Sequence, residues 1–155
     1  MKVPTYERCA KIVQKYSSKV GYDLSELFLR IVFCFITGNS DMHLKNFSLI
    51  ETAEGSAEYM LSPAYDLLPV NVIMPEDKEE TALTLNGKKR NIKRKDFLVF
   101  AEGCGLTKNA AGKMIDMLVS KKQKLLDMCA LSLLPEEMKI RFSELIEARI
   151  NTLLA

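Results

Sequence analysis

Apolar residues between positions 5 and 18 fall mostly on one stripe. Ala10, Ile12, Val13 and Tyr16 lie near each other at helical spacing, with Lys11, Gln14 and Lys15 outside, and this predicts a first helix that Ser17-Ser18 and Gly21 end. Asp23 then reads as the N-cap of a second helix, with Glu26 three residues later as in a capping box. Its apolar positions are 24, 27, 28, 31, 32, 35 and 36, and Phe33 and Cys34 fill the remaining side. A helix apolar nearly all round belongs at the centre of a domain. Gly38 closes it. Residues 47–52 and 57–61 read as two strands joined by the polar turn Ala53-Glu54-Gly55-Ser56. Folding about Glu54-Gly55 sets Phe47 roughly opposite Ser62, with the strands ~4.8 Å apart.

The pattern weakens after Pro69. Residues 75–80 are a polar loop, Thr81 to Leu85 reads as a short strand, Asn86-Gly87 as a hairpin turn, and Arg90 to Ile92 as its return. Lys95 to Ala101 predicts a short helix stopped by Gly103 and Gly105. Gly103-Cys104-Gly105 is not a phosphate loop, because position 108 holds Lys108 rather than a third glycine and no strand leads in. Thr107 begins a long helix running to about Leu131, with Ala111, Met114, Ile115, Leu118, Leu125, Met128 and Cys129 near one face. Pro135 stands as a first-turn proline before the last helix, whose buried stripe is Met138, Phe142, Leu145, Ile146, Ile150 and Leu153. The fold expected is mainly α (α+β), a helical lobe with a short β-hairpin, in one domain covering 1–155.

Composition narrows the class. Of 155 residues, 48% are hydrophobic and 27% charged, which suits a globule and excludes a disordered chain. A net charge of +2 does not by itself argue for nucleic acid. The densest basic cluster, Lys88, Lys89, Arg90, Lys93, Arg94 and Lys95, reads as a solvated hairpin and helix start, with a docking surface for acidic protein or a nucleic-acid backbone as the functional alternative. Cys9, Cys34, Cys104 and Cys129 form no C-x-x-C pair, so a zinc site is not expected and a reducing, cytoplasmic location is. Met1-Lys2-Val3-Pro4 carries no apolar signal region. The apolar run Leu27 to Thr37 is about eleven residues and contains Arg30, too short and too polar to span a bilayer.

Chemistry concentrates in Gly38-Asn39-Ser40-Asp41-Met42-His43-Leu44-Lys45-Asn46-Phe47-Ser48 and in Pro63-Ala64-Tyr65-Asp66-Leu67-Leu68-Pro69. Asp41 lies five residues before Asn46, and Asp66 follows the hairpin. Protein kinases set their catalytic-loop acid and first metal-binding residue at that spacing and bring the second metal-binding acid in after a hairpin. Asn46 and Asp66 would then share the hairpin's open end, close enough to hold one cation. Two carboxylates and an amide so placed can hold Mg²⁺ on a nucleotide phosphate and steer an attacking hydroxyl. His43 or Lys45 could touch the transferring phosphate, and the reading favoured for His43 is a ring hydrogen bond bracing the loop.

N-S-D-M-H-L-K-N-F-S followed by L-S-P-A-Y-D-L-L-P resembles the C-terminal lobe of the HipA-type serine/threonine kinases, toxins of bacterial toxin–antitoxin modules. The resemblance implies Asp41 as catalytic base, Asn46 and Asp66 as magnesium ligands, ATP as phosphate donor, and a protein substrate, translation-related in this family. It departs in one respect. Only 40 residues precede Asp41, and they offer neither a phosphate-covering loop nor an ATP-binding lysine. The chain is therefore expected to be a fragment, a split subunit or a lobe put to another use, to need an N-lobe that is missing or separately encoded, and to bind ATP weakly alone. The competing reading is a non-catalytic module that sequesters an antitoxin-like partner. A metal-dependent phosphohydrolase is weaker, because such sites gather more acids and histidines.

Overall fold

The computed structural model describes residues 4–155; Met1, Lys2 and Val3 lie outside the description. Thr5 caps the first helix, its side chain accepting a hydrogen bond from the Arg8 amide, and α1 runs Tyr6–Tyr16. The chain continues with α2 (Val20–Thr37), a 3₁₀ turn (Leu44–Asn46), β1 (Leu49–Glu51), β2 (Tyr59–Leu61), α3 (Val70–Ile73), α4 (Arg94–Gly103), α5 (Lys108–Val119), α6 (Lys122–Leu131) and α7 (Glu136–Leu154). The architecture is thus mainly helical with one two-stranded antiparallel sheet, as expected.

Helix α2 is the axis of the core. Leu27, Phe28, Ile31, Val32, Phe35 and Ile36 are all buried, and α1, α5, α7 and the hairpin pack around them. Phe28 stacks on Phe100, and Phe35 meets Phe97 edge to face with centroids 5.2 Å apart. The helix ends at Gly38, whose φ of 70° lets its amide reach back to the carbonyls of Cys34 and Phe35. That left-handed residue turns the chain directly into the Asp41 loop.

Several expectations need correction. Asp23 does not cap α2, which starts three residues earlier at Val20. It is fully buried, and its Oδ2 accepts from Ser17 Oγ at 2.6 Å and from the Leu61 amide at 2.7 Å. The acid ties the end of β2 to the α1–α2 corner. Strand register is one residue off the expectation: Leu49 faces Leu61, so Ser48 rather than Phe47 meets Ser62, with Ser62 N donating to Ser48 O at 2.8 Å. The helix expected from Thr107 to Leu131 breaks at Ser120-Lys121, where Ser120 Oγ donates to the Met117 carbonyl. The break redirects α6 onto α7, so it buries Cys129 and leaves Met128 exposed. The Asn86-Gly87 turn is present, with both residues at positive φ, but only a single bridge, Leu85 to Lys88, flanks it. Leu83, Leu85 and Ile92 are buried there without forming strands.

Half of the basic cluster is engaged inside the molecule. Lys88 binds buried Asp96 at 2.8 Å, Lys89 binds Glu79 at 3.0 Å, and Arg94 binds Asp116 at 2.7 Å. These pairs close the 79–89 segment on itself, tie it to α4, and tie α4 to α5. No helix among the described residues is long and apolar enough to cross a membrane.

Candidate active site

The loop after α2 is held from three directions, with Arg149 behind them. Tyr6, buried on α1, donates its hydroxyl to the Met42 carbonyl at 3.0 Å. Burial also pushes the Tyr6 phenol pKa far up, so it stays a neutral donor. Ser40 Oγ donates to Asp77 Oδ2 at 2.6 Å, and this bond foremost holds the Asp77 carboxyl below the usual range. The Asn71 amide donates to Gly38 O at 2.9 Å, and Asn71 Nδ2 reaches the carbonyls of Asp77 and Glu79. From α7, Arg149 pairs with Glu80 at 3.1 Å and lies over the Phe35 ring at 4.5 Å.

On this frame the candidate residues come together as follows. Asp41 is exposed at the loop crest, its side chain 63% accessible. Asn46 is buried in the 3₁₀ turn, and its Nδ2 donates to the Asp41 carbonyl at 3.1 Å. No other hydrogen bond occupies its Oδ1 among the described residues. Asp66 is exposed with φ of 56°, a conformation uncommon outside glycine and found at functional sites. Its carbonyl accepts from Asn39 Nδ2 at 3.2 Å, while Asn39 Oδ1 accepts from the Asp41 amide at 3.2 Å. Asp41, Asn46 and Asp66 are therefore linked through two buried side-chain amides.

Tyr65 makes a second link. Its hydroxyl donates to the Lys45 carbonyl at 2.8 Å and shares a 2.7 Å hydrogen bond with Ser48 Oγ. Arg30 completes the support from α2, donating to Ser62 O at 2.7 Å and facing the Phe47 ring at 6.0 Å. Burial lowers the Arg30 pKa.

His43 does not brace the loop by a ring hydrogen bond. Its Nδ1 is buried without a partner, and Nε2 lies 3.8 Å from Asp41 Oδ1, beyond hydrogen-bonding distance. The Lys45 side chain is exposed and makes no ion pair among the described residues. Asn39, Tyr65 and Arg30 were not singled out from the sequence as site residues. The available signal was an asparagine directly after the helix-ending glycine, and an aromatic residue beside the second acid.

Asn46 and Asp66 both carry hard oxygen donors, the kind Mg²⁺ takes. Among the described residues no group of three or more His, Cys, Asp and Glu could hold a metal. Asp66 and Asn46 offer one carboxylate and one neutral oxygen. Mg²⁺ is the ion that is usually held by so few protein oxygens, with phosphates and water completing its shell. Beside the loop lies an apolar cavity of about 650 Å³, bounded by Cys9, Ile12 and Val13 of α1, Leu27 of α2, and Leu44 and Phe47.

Comparison with known proteins bears on the fold and the family. The family model described as the HipA-like C-terminal domain matches residues 1–126. A Haemophilus influenzae protein named "Putative kinase" is 28% identical over 149 residues, 85% of this chain and 43% of the relative. "Putative kinase Y4dM" of Sinorhizobium fredii is 41% identical over 68 residues, 44% of this chain and 16% of that protein. Among solved structures, HipA of the Shewanella oneidensis toxin–antitoxin system, in complex with HipB and operator DNA, superposes with a TM-score of 0.80. That match has 20% identity and covers 97% of this chain and 36% of HipA. The chain thus spans less than half the length of these proteins. Motif order, helical architecture and the match over most of its length place it in one group: the chain belongs to the HipA-like C-terminal domain family.

Proposed function

We propose that this chain is the catalytic lobe of a protein serine/threonine kinase that uses ATP and Mg²⁺. The observation that carries the reading is the joining of Asp41, Asn46 and Asp66 through the amides of Asn39 and Asn46. Asp41 is the general base: exposed at the crest, its carboxylate is open to a protein-borne hydroxyl and takes that proton as the hydroxyl oxygen attacks the γ-phosphorus and ADP leaves. Asn46 and Asp66 are the metal ligands. Mg²⁺, when bound, neutralises charge on the β- and γ-phosphates. We assign His43, beside Asp41, and Lys45 as the side chains that touch the transferring phosphate.

The absence of a richer acidic cluster among the described residues favours phosphotransfer over two-metal hydrolysis. The substrate class is a protein hydroxyl, translation-related by family resemblance. The HipB complex of the Shewanella neighbour supports an antitoxin-type partner, with nucleic acid contacted only indirectly. Four buried free cysteines suit a cytoplasmic protein. Activity requires an N-terminal nucleotide lobe, and the isolated chain should bind ATP weakly; submicromolar affinity would contradict this.

The test is phosphotransfer with that lobe supplied by fusion or in trans. Asp41→Asn should slow it about 10²–10⁴-fold. Equal rates would reject the catalytic role. Tight binding of an antitoxin-like partner, indifferent to Mg²⁺ and to Asp41, would favour the sequestering module instead.

A further inference from the structure

We infer that Asn39 is a positioning residue that sets the spacing between the general-base loop and the metal-ligating segment; this rests on the phosphotransfer reading above. Asn39 is 2% exposed, so both ends of its amide must find partners inside the protein. It finds them on different segments: Oδ1 accepts from the Asp41 amide and Nδ2 donates to the Asp66 carbonyl, both at 3.2 Å. Its own backbone amide is fixed to the end of α2 through Cys34 O at 2.8 Å. One short side chain, anchored to the central helix, thus spans two turns that lie far apart in sequence.

The chemistry of the position is selective. Asparagine carries an acceptor and a donor on one rigid plane. Aspartate would keep the acceptor and lose the donor, and leucine would lose both at similar volume. Glutamine would keep both but add a methylene, pushing the segments apart. Asp66 holds a left-handed backbone, a conformation the neighbouring contacts must maintain. Tyr65 secures that segment on one side through Lys45 O, and Asn39 secures it on the other. Asn39 touches neither substrate nor metal in this account. It acts through the positions of Asp41 and Asp66.

The experiment uses the 155-residue chain with ¹⁵N labelling. Three quantities are followed in wild type, Asn39→Leu and Asn39→Asp: exchange of the Asp41 amide without metal, ¹⁵N relaxation of the Tyr65–Leu67 amides without metal, and the apparent Mn²⁺ dissociation constant from broadening of the Asn46 and Asp66 amides. Asp66→Asn is the metal control, and melting temperature is recorded throughout. In Asn39→Leu, the Asp41 amide should exchange about five- to tenfold faster, the Tyr65–Leu67 amides should relax as a more mobile segment, and Mn²⁺ binding to the folded protein should weaken by about tenfold. In Asn39→Asp, the Asp41 amide should stay slow while the Tyr65–Leu67 segment becomes more mobile. A purely structural asparagine would lower the melting temperature and leave the Mn²⁺ constant of the folded protein unchanged. That result, or loosening confined to one segment in Asn39→Leu, overturns the proposal. If Asn39→Leu does not fold, the split behaviour of Asn39→Asp decides alone. If wild type and Asp66→Asn take up Mn²⁺ equally, the metal reading fails, and the coupling of the two segments stands or falls on exchange and relaxation.

Discussion

Replacing Gly38 by alanine adds one methyl group at the junction of α2 and the Asp41 loop, and its cost can be built from two parts. The first is local. Gly38 has φ of 70°, where an L side chain costs about 1–2 kcal/mol. The second is a collision. A Cβ at Gly38 would lie 2.7 Å from Leu145 Cδ2 and 3.3 Å from Asn71 Cβ. Carbon atoms pack best at about 3.5–4.0 Å, so the Leu145 tip must retreat by roughly an ångström. Overpacking of this kind costs about 1–3 kcal/mol, and a movable side-chain tip places it toward the lower end. The sum is about 2–4 kcal/mol, a large share of a stability of about 5–15 kcal/mol. Urea unfolding followed by circular dichroism should show the midpoint falling with the m-value unchanged. The same substitution made in a Leu145→Ala background removes the collision and keeps the backbone strain. Its cost there should shrink to about 1–2 kcal/mol, a coupling that a double-mutant cycle resolves. A cost below about 0.5 kcal/mol in the native background, or equal costs in both, would refute the two-part account.

Asp23→Ala leaves the buried Leu61 amide and Ser17 hydroxyl without their acceptor and should cost about 2–4 kcal/mol by denaturant titration, with faster exchange at Leu61. Burial works to raise the Asp96 pKa, but bonds from Lys88, the Lys93 amide and Asn86 outweigh it and hold the carboxyl below its ordinary value. Its stabilising share is therefore complete above an unfolded-state pKa of about 3.9 and is lost as pH falls toward the lower folded value. Unfolding midpoints measured down that range should drop less steeply for Asp96→Asn than for wild type. All four cysteines are buried, and desolvation raises Cys9 to about 11 and Cys34 and Cys104 to about 12. Ellman's reagent should label none of them in the native protein and all four in denaturant; fast native labelling would contradict the packing.

What could be read from the sequence follows from how local each signal is. The all-round apolar run of α2 announces a central helix, and a glycine then an acid announce its end and the loop beyond. The hairpin and its polar turn were legible for the same reason, although a register error of one residue shows that turn chemistry fixes pairing only closely. Asp23 was misread because an acid near a helix start has a common local use. Its real partners are six and 38 residues away, and no spacing rule points to them. The break at Ser120 was hidden because the helical spacing of apolar residues continues across it on the page, while the direction of the chain does not. At the candidate site the residue types and their spacing were visible, whereas the side chains that hold them were not. Asn39, Arg30 and Tyr65 act through contacts 27, 32 and 20 residues distant.

The loop bearing Asp41 is held by Tyr6 of α1, abuts Leu145 of α7 at Gly38, and is backed through Asn71 by Arg149 of α7. During synthesis the loop emerges from the ribosome about a hundred residues before those last partners, at a translation rate of about 5–20 residues per second. For several seconds the nascent chain therefore carries the Asp41 loop before Leu145 and Arg149 exist to back it. Full packing of the loop is a late event in the birth of this polypeptide, timed by α7.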